Sequence, residues 1–161
     1  MISILPCLIL ALSIVGCNSE DDPTPQPQPE QTTLNLAGTS WQSYVENDYT
    51  YYYNNYPILM LCSQMTTIDL NDDSNGEIFV EVSVEVPDVP NASQHLSFSD
   101  PFTYAFKDNT LTLTTIDGDP DGILTFHPAD TTFTIPLDEP EAVEILGVDT
   151  LIFRLIQGSI K

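Results

Sequence analysis

The sequence predicts an all-β domain: a single antiparallel meander that closes into a small barrel, with a Greek-key β-sandwich as the other arrangement the same pattern allows. Three observations lead there. Apolar and polar residues alternate with period two in run after run, hairpin-type turn residues stand between the runs, and no stretch of ten or more residues carries a helical stripe. The clearest run is Glu77–Val86, where Ile78, Val80, Val82, Val84 and Val86 share one face and Glu77, Glu81, Ser83 and Glu85 share the other. Charges on the outward side mark a half-buried antiparallel strand.

Further runs are Ser40–Glu46, Met65–Asn71, His95–Ser99, Phe102–Lys107, Thr110–Ile116, Ile123–His127, Thr131–Ile135 and Thr150–Gln157. Asn75-Gly76, Asp108-Asn109, Asp117-Gly118 and Asp121-Gly122 supply turn signals between them, and Glu141–Leu146 suits a helical turn. Short connections make consecutive strands neighbours, and closure into a barrel removes the free edges such a meander would otherwise carry. The inward set, with Leu111, Leu113 and Phe153 added, consists of medium and large side chains. These should pack the lower half of the barrel and leave only a shallow cavity. That cavity is expected at the end bearing Tyr49–Tyr56.

Ahead of this domain, residues 1–16 read as a signal segment. Ile2–Val15 is uncharged and mostly aliphatic, about the length of a signal h-region and shorter than the roughly 20 residues a spanning helix needs. Leu12-Ser13-Ile14-Val15-Gly16-Cys17 follows and resembles the lipobox of bacterial lipoproteins, which implies cleavage before Cys17 and a lipid anchor on that cysteine. Residues 17–33 form an acidic, Pro-rich tether, since proline at alternate positions from Pro23 to Pro29 favours extended polyproline II backbone. The acidic run Glu20-Asp21-Asp22 resembles the surface-export signal of Bacteroidetes lipoproteins, implying an outer-membrane protein that faces the cell exterior.

The chain holds 24 acidic and three basic residues, a formal net charge of −21. Nucleic-acid binding is excluded, because it depends on cationic neutralisation of phosphates. Cys7 leaves with the signal and Cys17 carries lipid, so Cys62 is the one thiol left in the mature chain. With no partner for a disulfide it is expected to be buried and inert.

The domain, residues 34–161, resembles the lipocalin-like domains of Bacteroidetes lipoproteins. The resemblance is carried by Leu36–Trp41, Cys62 ahead of Met65–Asn71, Asp108–Leu113 and Thr150–Leu155. It implies a strand-one tryptophan at the closed end of a small barrel, packed near a basic residue of the last strand, which assigns those places to Trp41 and Arg154. The family's Gly-x-Trp reads here as Gly38-Thr-Ser-Trp41, one residue longer.

Two features could carry chemistry. Asp117, Asp119 and Asp121 alternate like the first half of an EF-hand calcium loop, but Pro128 stands where the bidentate Glu belongs, so a weak calcium site is the most they suggest; Asn71–Gly76 is a fainter copy. Tyr49, Tyr51, Tyr52, Tyr53 and Tyr56 crowd the stretch between the first two strands and read as a loop at the barrel mouth, a rim for a ligand or partner; Pro87, Pro90 and the 88–93 stretch read as a second loop there. No nucleophile with a basic partner, no metal-ligand spacing and no phosphate loop is present. His95 and His127 each fall inside a predicted strand. The expectation is a non-enzymatic binding module for an apolar small molecule, a glycan or an envelope protein, with an accessory docking subunit as alternative and a glycan hydrolase as the remote one.

Replacing Cys17 with serine should abolish acylation, since a hydroxyl does not replace the thiol as lipid acceptor. The precursor should stay uncut and take up no labelled palmitate; normal uptake would refute the anchor.

Overall fold

The computed structural model describes residues 34–160 apart from Asp88 and Pro90. The signal segment, Cys17 and the tether lie outside the described residues. From Leu34 onward the chain is a closed barrel of eight antiparallel strands joined in sequence order, an up-and-down, lipocalin-like meander that excludes the Greek-key sandwich. The strands are β1 (Thr39–Tyr53), β2 (Tyr56–Leu70), β3 (Asn75–Glu85), β4 (Gln94–Lys107), β5 (Thr110–Thr115), β6 (Pro120–His127), β7 (Thr132–Pro136) and β8 (Thr150–Gln157). One helix, α1 (Pro140–Leu146), interrupts the meander before β8 and covers the expected helical turn, with proline in its first turn.

The turns explain where the sequence reading misplaced boundaries. Asn54 and Asn55 both have positive φ, 49° and 65°, as a two-residue I′ hairpin requires, so β1 and β2 run unbroken through the tyrosine-rich stretch. The expected mouth loop is therefore strand. Asp108-Asn109 is a turn of the same kind, and Asp117-Gly118 also lies in a turn. Asn75-Gly76 and Asp121-Gly122 do not turn: they lie within β3 and β6. Gly76 serves a different purpose, for it faces Phe102 across the β3–β4 ladder and a Cβ there would collide with that ring. His95–Ser99 and Phe102–Lys107 are one strand through Pro101.

The closed end is packed by aromatic rings from alternate inward positions. Trp41 is fully buried, with its ring edge-on to Phe133 at 4.6 Å and to Phe126 at 6.1 Å. Phe106 meets Phe126 and Phe133 at 6.0 and 6.2 Å, and Phe153, Leu111 and Leu124 complete the fill. The indole N–H donates to Thr39 Oγ1 at 2.8 Å, and that hydroxyl donates to the Leu36 carbonyl at 2.6 Å, so the buried polar atoms are satisfied. Arg154 corrects the expectation drawn from the resemblance. It pairs with Gln42 and Thr132 on the outward face, exposed, and does not stack on Trp41. The β1–β8 ladder is irregular beside Trp41: Ser40 faces Gln157 but Trp41 faces Leu155, leaving Ile156 as an extra residue on β8.

Trp41→Ala should cost about 3–5 kcal/mol of stability, as loss of a buried large aromatic does. Arg154→Ala should stay within about 0.5 kcal/mol, as exposed substitutions do. Urea unfolding of both variants checks this, and an equal loss from Arg154→Ala would contradict its placement on the outer face.

Candidate functional site

Barrel strands of unequal length leave a distinctive end. β1 and β2 have 15 residues each, β3 has 11 and β4 has 14, while β5 to β8 have between five and eight. Closure uses only the lower part of the long strands: β8 pairs with Ser40–Gln42 of β1, and β5 pairs with Phe102–Lys107 of β4. Above those rows β1–β2–β3–β4 continue as an open four-stranded flange. It carries the β1–β2 hairpin and stands at the end of the barrel opposite Leu34–Gly38, where the chain enters.

The five tyrosines all belong to this flange. Tyr51, Tyr52, Tyr53 and Tyr56 are exposed, Tyr52 to 67% and Tyr56 to 74%. Strand alternation puts Tyr51 on the inward-curving face with Ile58, Met60, Val82, Val84, Leu96 and Phe98, and puts Tyr44, Tyr52 and Leu59 on the outer face. Val82 and Val84, expected inside a closed barrel, thus lie above its closed part and are only half-buried, as is Val86 beyond the end of β3. Tyr49 is also half-buried; its hydroxyl is held above the ordinary tyrosine range by burial first and then by the carboxylates of Glu144 and Glu141 on α1. α1 is fixed beside it because Asn47 Nδ2 donates to the Ile145 carbonyl at 2.9 Å, while Gly147, with φ of 68°, closes the helix against the Asn47 side chain.

Within the barrel is a cavity of about 180 Å³, lined by Gln64, Thr66, Ile78, Val80, Leu113 and Ile135 among others. No tyrosine lines it. The volume is below the roughly 300–1,000 Å³ of ordinary small-molecule sites, and on its β2 wall Gln64 Nε2 donates to Thr66 Oγ1 at 3.1 Å. Cys62 faces inward and is buried, and burial pushes its thiol up, away from the reactive thiolate.

The remaining sequence-predicted residues separate. Asp117 and Asp119 lie in the β5–β6 turn and Asp121 in β6; among the described residues no three His, Cys, Asp or Glu side chains are grouped to hold a metal ion. The fainter copy at Asn71–Gly76 has a structural use. Asp72 Oδ1 accepts from the amides of Ser74 and Asn75 at 2.8 and 2.7 Å, and Asn75 Nδ2 donates to both carboxylate oxygens. Tyr104 closes over this turn, its hydroxyl donating to the Asp72 carbonyl. Strand register also creates a juxtaposition that linear sequence hides: Ser83 Oγ lies 2.7 Å from His95 Nδ1, and His95 Nε2 lies 3.7 Å from Glu81 Oε1. These side chains share the outer face of the sheet. β3 is hydrogen-bonded on both sides, so the amides flanking Ser83 are committed to ladders and offer no oxyanion hole. His127 makes a similar cross-strand contact with Thr134 Oγ1 at 2.9 Å.

Neither a family model nor a curated protein nor a solved structure matches the chain. The geometry therefore defines the class by itself: an acidic, small-interior barrel with an aromatic flange.

Hydrogen bonds from Asn75 and from the Ser74 and Asn75 amides hold the Asp72 carboxyl below its ordinary range. A carboxyl lowered in the folded state stabilises the fold above its unfolded pKa, and this stabilisation is lost as pH falls through the folded value. Asp72→Ala should therefore lower Tm at neutral pH and flatten the acid limb of a Tm-against-pH curve. Parallel curves for variant and parent would show that the turn does not depend on the charge.

Proposed function

We propose that this chain is an envelope lipoprotein, anchored through Cys17, whose barrel serves as a binding module that works through its flange and not through an interior ligand cavity. The observation carrying this reading is the exposed, curved apolar face of β1–β4 above the closed barrel. Monomeric proteins seldom leave a contiguous apolar patch exposed unless something docks there. Tyrosine suits that role, since it presents a large rigid apolar body with a polar tip at low entropic cost.

Two further features support it. The interior cavity is small and partly polar, a poor fit for a fatty-acid-sized cargo. The described chain begins at the closed end, and the flange lies at the far end of the barrel. A lipobox and an acidic export run upstream suit an outer-membrane protein facing the exterior, where such a partner would be another envelope protein or a glycan. The role is docking, with no chemistry assigned to it.

A photo-crosslinking residue in place of Tyr51 should give a discrete adduct on intact cells, while the same residue in place of Lys107, at the closed end, should give none. An apolar dye titrated at micromolar concentration should show no saturable enhancement. Saturable one-to-one dye binding competed by a long-chain lipid would overturn the docking reading in favour of a carrier.

A further inference from the structure

The flange has an open side. In β4 the ladder to β5 begins only at Phe102, so Gln94–Pro101 is paired with β3 alone, and all eight of these residues are exposed. Among the described residues nothing pairs with the other side of this segment. The direction of its main-chain groups follows from alternation. The Tyr104 amide points toward β3, where it donates to the Ser74 carbonyl at 2.8 Å, so even-numbered amides of β4 face β3 and odd-numbered ones face away. The amides and carbonyls of His95, Ser97 and Ser99 and the carbonyl of Pro101 therefore lie along the free edge. Pro101, which has no N–H, sits at an unpaired edge position, where a strand tolerates it.

Such an edge is a template for strand addition, and proteins ordinarily blunt it. Here proline protects only the foot, while Leu96 and Phe98, 63% and 53% exposed, present apolar side chains on the inward face beside Val82 and Val80. At the foot of the edge is a cleft of about 360 Å³ lined by Asp100, Pro101, Ile116, Asp117 and Asp121. Glu77 and Glu81 flank the outer face, opposite Pro101 and Ser97. Both described basic residues are remote from it: Lys107 lies at the β4–β5 turn and Arg154 beside Gln42.

We propose that the free edge of β4, His95 to Pro101, with the acidic cleft at its foot, takes up an extended basic segment of a partner protein as an added strand. Main-chain hydrogen bonds would give affinity. Alternation would give specificity, with apolar residues of the segment against Leu96 and Phe98 and basic ones toward the carboxylates. Charge decides against a second copy, because a chain of net charge −21 opposes its own edge. This inference rests on the docking reading above and names the partner's chemistry.

The test uses the full chain in detergent and a fluorescent peptide of alternating lysine and valine, followed by anisotropy. Binding should weaken with salt. It should fall at least roughly tenfold when alternate peptide nitrogens are methylated, and also in Ser97→Pro, each of which removes donors from the new ladder. Asp117→Asn combined with Asp121→Asn should weaken the lysine peptide and improve a glutamate–valine one. Ser97 donates to no neighbour within the barrel, so its proline variant should keep the parent's Tm; if it does not, the methylated peptide decides. Equal binding of methylated and plain peptides would overturn strand addition, as would concentration-dependent dimerisation abolished by Ser97→Pro, which assigns the edge to a second copy. Retention of the Tyr51 adduct alongside either result would leave the docking reading standing and remove only this one.

Discussion

The structure depends on a short ladder. Ser40, Trp41 and Gln42 of β1 against Gln157, Leu155 and Arg154 of β8 are the whole backbone ladder between the strands that join the barrel's first and last segments. Three residue pairs are a thin seam for an eight-stranded closure, and it holds because of what is packed behind it. Trp41 fills the space at the seam, its N–H is satisfied through Thr39 and Leu36, and rings from β6 and β7 meet it, with Phe106 of β4 packed against those two. Dense aromatic packing at the closed end thus does what a longer ladder would otherwise do.

Shortness of the seam has a second effect. β1 to β4 are longer than the strands that close against them, so their upper halves cannot take part in the barrel. Backbone groups and apolar side chains that a fully closed barrel would hide are left at one end. α1 covers part of the β1 side through Asn47, but the β4 side stays open. One difference in strand length therefore generates the flange, the aromatic rim and the free edge together, and places them opposite the end where the chain enters.

Acidity acts on the same end. The carboxylates of the β5–β6 turn, of the outer face of β3 and of α1 surround the flange, while Lys107 and Arg154 lie toward the closed end. The closed end also carries Asp72, Asp73, Asp108 and Asp130 in its turns, but the described cations lie toward it, so the flange is the more negative end. Such a field favours cationic partners and keeps like-charged copies apart, which limits the aggregation an exposed strand edge invites.

Much of this was legible in the sequence, and the boundary falls at a physical place. Period-two alternation at Glu77–Val86 and its companions determined the strand class, because one buried face requires it, and the lone Cys62, apolar and without a partner, was readable as a buried thiol. The I′ turn at Asp108-Asn109 could be read because both residues tolerate positive φ. Asn54-Asn55 has the same property, but dense tyrosines suggested a loop, and only pairing with β2 shows that they continue a strand. Only the tertiary structure placed Arg154 outside and Trp41 inside, brought Ser83, His95 and Glu81 together, and stopped the β4–β5 ladder at Phe102. Local sequence sets which face a residue takes; how far two strands stay paired depends on the lengths and register of partners distant in the chain, so the flange and its open edge exist only once the barrel has closed.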